Sequence, residues 1–303
     1  MLKDFGLKVK QLRKEKQITQ EDFCGDQSEL SVRQLARIES GKSIPKLTSV
    51  TYIAKKLDVS ISFLTGEENL ELPKRYKELK YLILRTPTYK DEERVRLREE
   101  QFDEIYTDYY DNLPESEQLA IDCLQAKLDV HISQNTHFSQ GIINDYFEQI
   151  KRKKIYDVND LILIDLYLIN TFLSEDRTCQ LQDNHYIKLV SRLMAQVDYF
   201  ELDDLFILNN VLINTCEQLL LKKEAKILEE VLEVCQIIMT KVQDFQKAPI
   251  VSMLEWKLSL DILQDETRAQ ICFDKAILFA SVMGDNCLTR NLSREWEKDH
   301  AHE

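Results

Sequence analysis

One segment of this chain occurs twice. NDLILIDLYLIN, residues 159–170, aligns without gaps on DDLFILNNVLIN, residues 203–214, at an offset of 44. Asp, Leu, Leu, Ile and Asn fall at equivalent places, and most other positions are apolar in both. A helix this apolar cannot bury its surface alone. Repeats of roughly 34 to 47 residues solve the problem by stacking helix pairs, so that neighbours share one continuous core. The repeat therefore predicts an α-solenoid.

The rest of the body agrees. A fainter third copy lies near PIVSMLEWKLSL, residues 249–260, and RAQICFDKAILFASVMGDN, residues 268–286, resembles the second helix of a tetratricopeptide repeat. From Lys74 onward helix follows helix at a 3.6-residue period. The chain of 303 residues holds only 6 Gly and 5 Pro, which favours long helices over a turn-rich β architecture. With 44 % apolar residues it can build a sizeable core.

Charge divides the chain. Residues 1–66 carry a net +4 and the remainder a net −17, which gives the overall −13. A small basic head on an acidic body is the pattern expected when only the head meets a polyanion. The seven cysteines, at 24, 123, 179, 216, 235, 272 and 287, are scattered and form no CxxC pair. That argues against a disulfide framework or a zinc site and for a reducing compartment. The N-terminus lacks the apolar core of a signal peptide, and stretches such as LILIDLYLI are too short and acid-interrupted to span a membrane. A cytoplasmic protein with no membrane contact, metal or cofactor is expected. The run IKRKK, residues 150–154, reads as a solvated helix connection.

The head reads as five short helices over residues 5–65, a domain of its own (1–66). A linker (67–75, within TGEENLELPKRY) and a helical-repeat domain (76–303) follow. Thr19 caps TQEDFCG, Ser31 caps SVRQLARIES, Gly41 stops it, and Pro45 and Thr48 open the next helix. This is a helix-turn-helix layout: a supporting helix, the turn DQSEL, and a recognition helix with Leu35 and Ile38 inward and Arg33, Gln34 and Arg37 outward. Arg suits guanine O6 and N7 or a phosphate, and Gln suits adenine N6 and N7. Gln20 is placed to reach a phosphate, as are Lys42, Lys46 and Thr48 on the far side. Double-stranded DNA is the expected partner.

The stretch TQEDF through LSVRQLARIESGKSIP resembles the lambda-repressor-like (XRE) helix-turn-helix, with a turn about one residue longer and without its usual Gly. An XRE head on an all-helical body resembles the Rgg/PlcR/PrgX group of peptide-pheromone receptors. LSVRQLARIE, TYIAKKLDVS, PTYK, LPESEQL, FEQIKRKK, NDLILIDLY and DKAILFASV extend the likeness to the ComR-type competence regulators. The resemblance implies a regulator, most naturally an activator of competence genes. A short hydrophobic signalling peptide would bind the repeats and free a docked head, turning a monomer into a homodimer on a palindromic promoter. It also implies residues: Arg33, Gln34 and Arg37 on DNA, Arg33 paired with Glu115 as the interdomain switch, and Arg98 in the sensing switch. Thr88, Ile169 and Asn209 fall at pocket positions, Ile169 where a member of the family carries an aromatic. Asn170, Asn209, Asn210 and Asn214 interrupt apolar runs, and an Asn amide can bond both N–H and C=O of an extended peptide. The alternatives are a body that binds a protein partner, or an Rgg-like repressor. An enzyme is disfavoured: the histidines, 131, 137, 185, 300 and 302, are dispersed, and no Gly-rich phosphate loop exists.

Overall fold

The computed structural model describes residues 3–65, 72–89, 91–133, 135–173 and 183–300. Cys179 and residues 67–71 of the expected linker lie outside the described residues. Among the described residues the chain is helical throughout, with no strand and one isolated parallel bridge, Ile44 to Pro114. Among the described residues no helix is long and apolar enough to cross a membrane. The expected all-α class, with a five-helix head and a helical body, is what folds.

By packing, the chain falls into two compact units: Met1–Thr86 with Arg96–Leu166, and Pro87–Val95 with Tyr167–Glu303. The first unit opens with α1 (Lys3–Glu15), α2 (Gln20–Cys24), α3 (Val32–Glu39), α4 (Leu47–Leu57) and α5 (Ile61–Thr65). Phe5, Val9, Phe23, Leu30, Leu35, Ile38, Val50, Ile53, Leu57 and Leu64 form one buried cluster among them. Several helices are short, so packing rather than propensity must hold them. A buried ion pair sits at the margin of this core. Arg13 Nε donates to Glu39 Oε1 at 2.6 Å, Arg13 Nη2 to Glu39 Oε2 at 2.8 Å, and Arg13 Nη1 to the Ile18 carbonyl at 2.7 Å. Removing one partner of such a pair leaves a buried charge uncompensated, which costs several kcal/mol, about 3–5.

The helices of the body follow in order. They are α6 (Lys74–Arg85), α7 (Glu92–Asp108), α8 (Glu115–Ser133), α9 (His137–Arg152), α10 (Val158–Leu173), α11 (Asp183–Met194), α12 (Leu205–Leu221), α13 (Ala225–Val242), α14 (Ala248–Leu258), α15 (Glu266–Val282) and α16 (Asn286–His300). Helix α6 begins two residues inside the stretch read as linker. The repeated segments fall on α10 and α12, and the fainter copy on α14. In the second unit α12 packs on α13, α14 on α15, and α15 on α16. Trp256 on α14 is fully buried and edge-on to Phe273 and Trp296. Phe273 stacks on Trp296 at 4.5 Å, so these rings close the C-terminal end of the repeat stack.

One glycine in the head is dictated by close approach. A Cβ on Gly6 would collide with the Ile38 carbonyl oxygen, because α1 lies directly against the end of α3. That contact is backbone and cannot give way as a flexible side chain would. Gly6→Ala is therefore expected to destabilise the protein by about 1–3 kcal/mol. Urea unfolding followed by circular dichroism checks this; an unchanged midpoint would show that α1 and α3 are not so close.

Candidate functional site: the recognition helix and its cover

Local chemistry sets α3 in place. Ser31 has extended backbone, and its hydroxyl accepts from the Gln34 N–H at 3.2 Å. The Gln34 side-chain oxygen reaches back and accepts from the Ser31 N–H at 3.1 Å, which completes a capping box. At α2 the Thr19 hydroxyl accepts from the Asp22 N–H at 3.0 Å. Gly25, read as part of this helix, instead opens the turn with a φ of 57°, so the turn does contain a glycine. Helix α4 starts at Leu47 with Lys46 as its cap residue, rather than at Pro45 or Thr48. Leu35 and Ile38 are buried, as their spacing requires.

Four of the five residues read as DNA contacts already have intramolecular partners, and the two glutamines serve the head's own fold. The Gln34 oxygen is engaged by the capping box, which leaves its –NH2 group for an outside acceptor. Gln20 donates to Glu39 Oε2 at 2.8 Å and so braces the Arg13–Glu39 pair. Lys42 is exposed on the turn after α3, and Thr48 is exposed on α4.

Arg33 and Arg37, one turn apart on α3, face carboxylates of the same compact unit. Arg33 Nη1 lies 3.0 Å from Asp145 Oδ2, and its guanidinium sits over the Tyr146 ring, 5.0 Å from the centroid. Arg37 Nε lies 3.2 Å from Glu115 Oε1. The expected partner of Arg33 was Glu115; the structure exchanges the pairing. Arg33 is one turn nearer the start of α3, over the Asp145–Tyr146 step of α9, while Glu115 at the start of α8 meets Arg37. The hydrogen bond to Asp145 raises Arg33 further above its already high pKa. Tyr146 is pushed up, first by burial and then by Glu115, to which its hydroxyl donates at 3.3 Å.

These contacts belong to a longer seam. The Glu115 N–H donates to the Ile44 carbonyl at 3.3 Å beside the Ile44–Pro114 bridge. Lys46 Nζ donates to Asp157 Oδ2 at 2.6 Å. Burial alone would lower Lys46, but the charge and hydrogen bond of Asp157, with the nearby Asp160 and Glu117, together outweigh it and hold the ammonium above its ordinary pKa. Asp157 moves the opposite way: Lys46 and Lys153 overcome its burial and hold it below the usual carboxylate range. A cavity of about 60 Å³ lies along the seam, lined by Gln34, Ile44, Lys46, Glu115, Ser116 and Tyr146 among others. Asp145, Tyr146 and Asp157 had no signal in the sequence. Each lies on an ordinary polar helix face or connection, and only the fold brings them to the head.

The residues read as peptide contacts divide between the units. Arg98, in the first, donates to the carbonyl of Thr86 and, at 3.0 Å, to its hydroxyl. Burial lowers its pKa to about 10, and among the described residues it has no ion-pair partner. Thr88, Ile169, Asn170, Asn209, Asn210 and Asn214 are in the second. Thr88 and Ile169 are half-buried, Asn170 and Asn209 buried, and Asn210 and Asn214 half-buried on α12. The Asn209 Oδ1 is buried with no donor among the described residues. An unpaired buried acceptor is uncommon and costs roughly 1–3 kcal/mol, so it marks a place where an outside donor would be welcome. The described cysteines are free thiols, and burial pushes Cys24 up to about 12, far from a reactive thiolate. Among the described residues no cluster of His, Cys, Asp and Glu is arranged to hold a metal ion.

The capping box gives a check that needs no DNA. Gln34→Ala should cost about 0.5–2 kcal/mol by removing the return bond, whereas Gln34→Glu should keep it and stay close to the wild type. Thermal unfolding of both variants decides; equal melting temperatures would show that the box does not form.

Comparison with known proteins follows the same division. Residues 73–296 match the ComR tetratricopeptide family, and residues 9–64 match a helix-turn-helix family. A search of curated protein sequences gave no match. Among solved structures, ComR from Streptococcus suis is 38 % identical over 98 % of this chain and 96 % of its own, with a TM-score of 0.81. The apo form of ComR from S. thermophilus is 29 % identical over 99 % and 100 %, with a TM-score of 0.85. ComR from S. thermophilus in complex with DNA and its signalling peptide ComS is 30 % identical over 98 % and 99 %, with a TM-score of 0.69. This chain belongs to the ComR family of competence regulators.

Proposed function

We propose that the protein is a cytoplasmic, peptide-responsive transcription regulator whose DNA-reading helix is covered until a signalling peptide binds. The observation that carries this is the pairing of Arg33 and Arg37 with Asp145 and Glu115. An arginine held by a carboxylate cannot also face a guanine edge or a phosphate. Arg33, Arg37 and the free –NH2 of Gln34 are the base-reading candidates, with Lys42 and Gln20 on the backbone. The ligand of the body is a short, hydrophobic, extended peptide. Its main chain would be met by Asn170, Asn209, Asn210 and Asn214, with Thr88 and Ile169 beside them in the same unit; Arg98, in the first unit, belongs to the sensing switch. The open acceptor of Asn209 supports this reading. The S. thermophilus relative is solved in complex with DNA and its signalling peptide ComS, which supports DNA and a peptide as the partners here. Released heads then pair as a homodimer on a palindromic promoter of competence genes. No enzymatic step enters this account.

The covering contact is modest in energy, which suits a switch. The Arg33–Asp145 pair is about half exposed, at 49 % and 55 %, so solvent screening leaves it under about 1 kcal/mol. Glu115, by contrast, is buried. Removing it should loosen the head by an amount typical of allosteric couplings, about 1–3 kcal/mol.

Two outcomes test the reading, with a labelled duplex of the intergenic DNA upstream of the protein's own gene. Glu115→Ala should raise peptide-free binding by about 5- to 150-fold; an unchanged gel shift would remove the cover. Arg37→Ala should lose about 1–3 kcal/mol of binding in the activated state while its circular dichroism stays native. Normal binding by that variant would place the base-reading surface elsewhere.

A further inference from the structure

We infer that the main electrostatic latch holding the head is not on the recognition helix but beside it, between Lys46 at the start of α4 and Asp157 in the connection from α9 to α10. This rests on the covered-head reading and names the contact that sets its strength. Three ion pairs among the described residues, Arg33–Asp145, Arg37–Glu115 and Lys46–Asp157, join the head to the α8–α10 side of the same unit, and they are not equal. Arg33–Asp145 is held at 3.0 Å between two half-exposed side chains. Arg37 Nε lies 3.2 Å from Glu115 Oε1, but it makes no hydrogen bond, and neither does Glu115 Oε2. Lys46–Asp157 is the short one, a hydrogen-bonded pair at 2.6 Å, with the ammonium 27 % and the carboxylate 45 % exposed.

Asp157 is also built into place. Its N–H donates to Asp160 Oδ2 at 2.9 Å, and its own Oδ1 accepts from the Asp160 N–H at 2.9 Å. Lys153 holds the other side of this arrangement by donating to both Asp160 oxygens, at 2.6 and 2.8 Å. The basic run IKRKK, which composition alone assigns to a solvated connection, thus supplies the lysine that organises the acceptor. A fixed acceptor loses less entropy on pairing than a free surface carboxylate does, which is why this pair outweighs the exposed one. Lys46, half-buried, ends the connection after the recognition helix that begins with the exposed Lys42, where a cation suits a phosphate. Latched to Asp157, it is withheld from such a contact.

The test is hydrogen–deuterium exchange of the full-length, peptide-free protein, which reads the seam without any DNA. Asp157→Asn keeps the side-chain shape and should raise exchange in peptides covering residues 42–49 and 114–117 roughly tenfold. Asp145→Asn should change them less than twofold. Lys46→Met approaches the latch from the head side and should match Asp157→Asn, so a folding defect in either variant does not decide the outcome. In the charge-swapped pair, Lys46→Asp with Asp157→Lys, protection should return. Binding to the upstream duplex should stay weaker than wild type even with activating peptide. If Asp157→Asn and Lys46→Met leave exchange unchanged, or Asp145→Asn equals them, the latch is not here. If exchange rises but peptide-free DNA binding does not, the latch stands and the covered-head reading fails.

Discussion

An arginine turned to a carboxylate of its own chain is withheld from a base edge or a phosphate, and the head of this protein is arranged around that competition. Arg33 and Arg37 point outward because Leu35 and Ile38 must point inward, so whatever lies outside α3 meets both cations. Within this compact unit the outside is carboxylate: Asp145 on α9 and Glu115 on α8. The acidity of the body, net −17 beyond residue 66, then has a place in the mechanism we propose. Part of it stands in for the phosphates and base edges that α3 would otherwise contact.

The head must be rigid for such competition to have meaning. Its core is a single cluster built on short helices, fixed at one edge by Arg13 and Glu39 and at another by the glycine-only crossing of α1 over α3. Gln20 and Gln34 are part of this rigidity, since one braces Glu39 and the other closes the cap of α3. Their polar groups serve the fold first, and any DNA contact uses what remains. In the second unit the same economy shows at Asn209, whose Oδ1 finds no donor among the described residues and lies on a largely buried helix. A buried group left open is affordable only where something else completes it.

Much of the architecture was legible because it rests on local or periodic signals. The 44-residue repeat gave α10 and α12, capping residues gave α2 and α3, and inward spacing gave Leu35 and Ile38. What was not legible depends on tertiary placement. The exchange of partners between Arg33 and Arg37 follows from which turn of α3 lies over which helix end, and no spacing rule carries that. Gly25 was misplaced because a left-handed residue after a five-residue helix looks like one more turn of it. The latch at Lys46 was half visible as a basic residue near the recognition helix. Its acceptor, Asp157, lies 111 residues away in sequence and had no mark of its own.

The central claim is that the docked head and DNA are mutually exclusive, and a reversible covalent lock tests it most directly. Ile44 and Pro114 face each other across the backbone bridge, within the roughly 5 Å strand spacing that a disulfide spans. A protein carrying Ile44→Cys with Pro114→Cys, oxidised, should bind the upstream duplex neither with nor without activating peptide, and reduction should restore peptide-dependent binding. Equal DNA affinity of the oxidised and reduced forms in the presence of peptide would contradict the account.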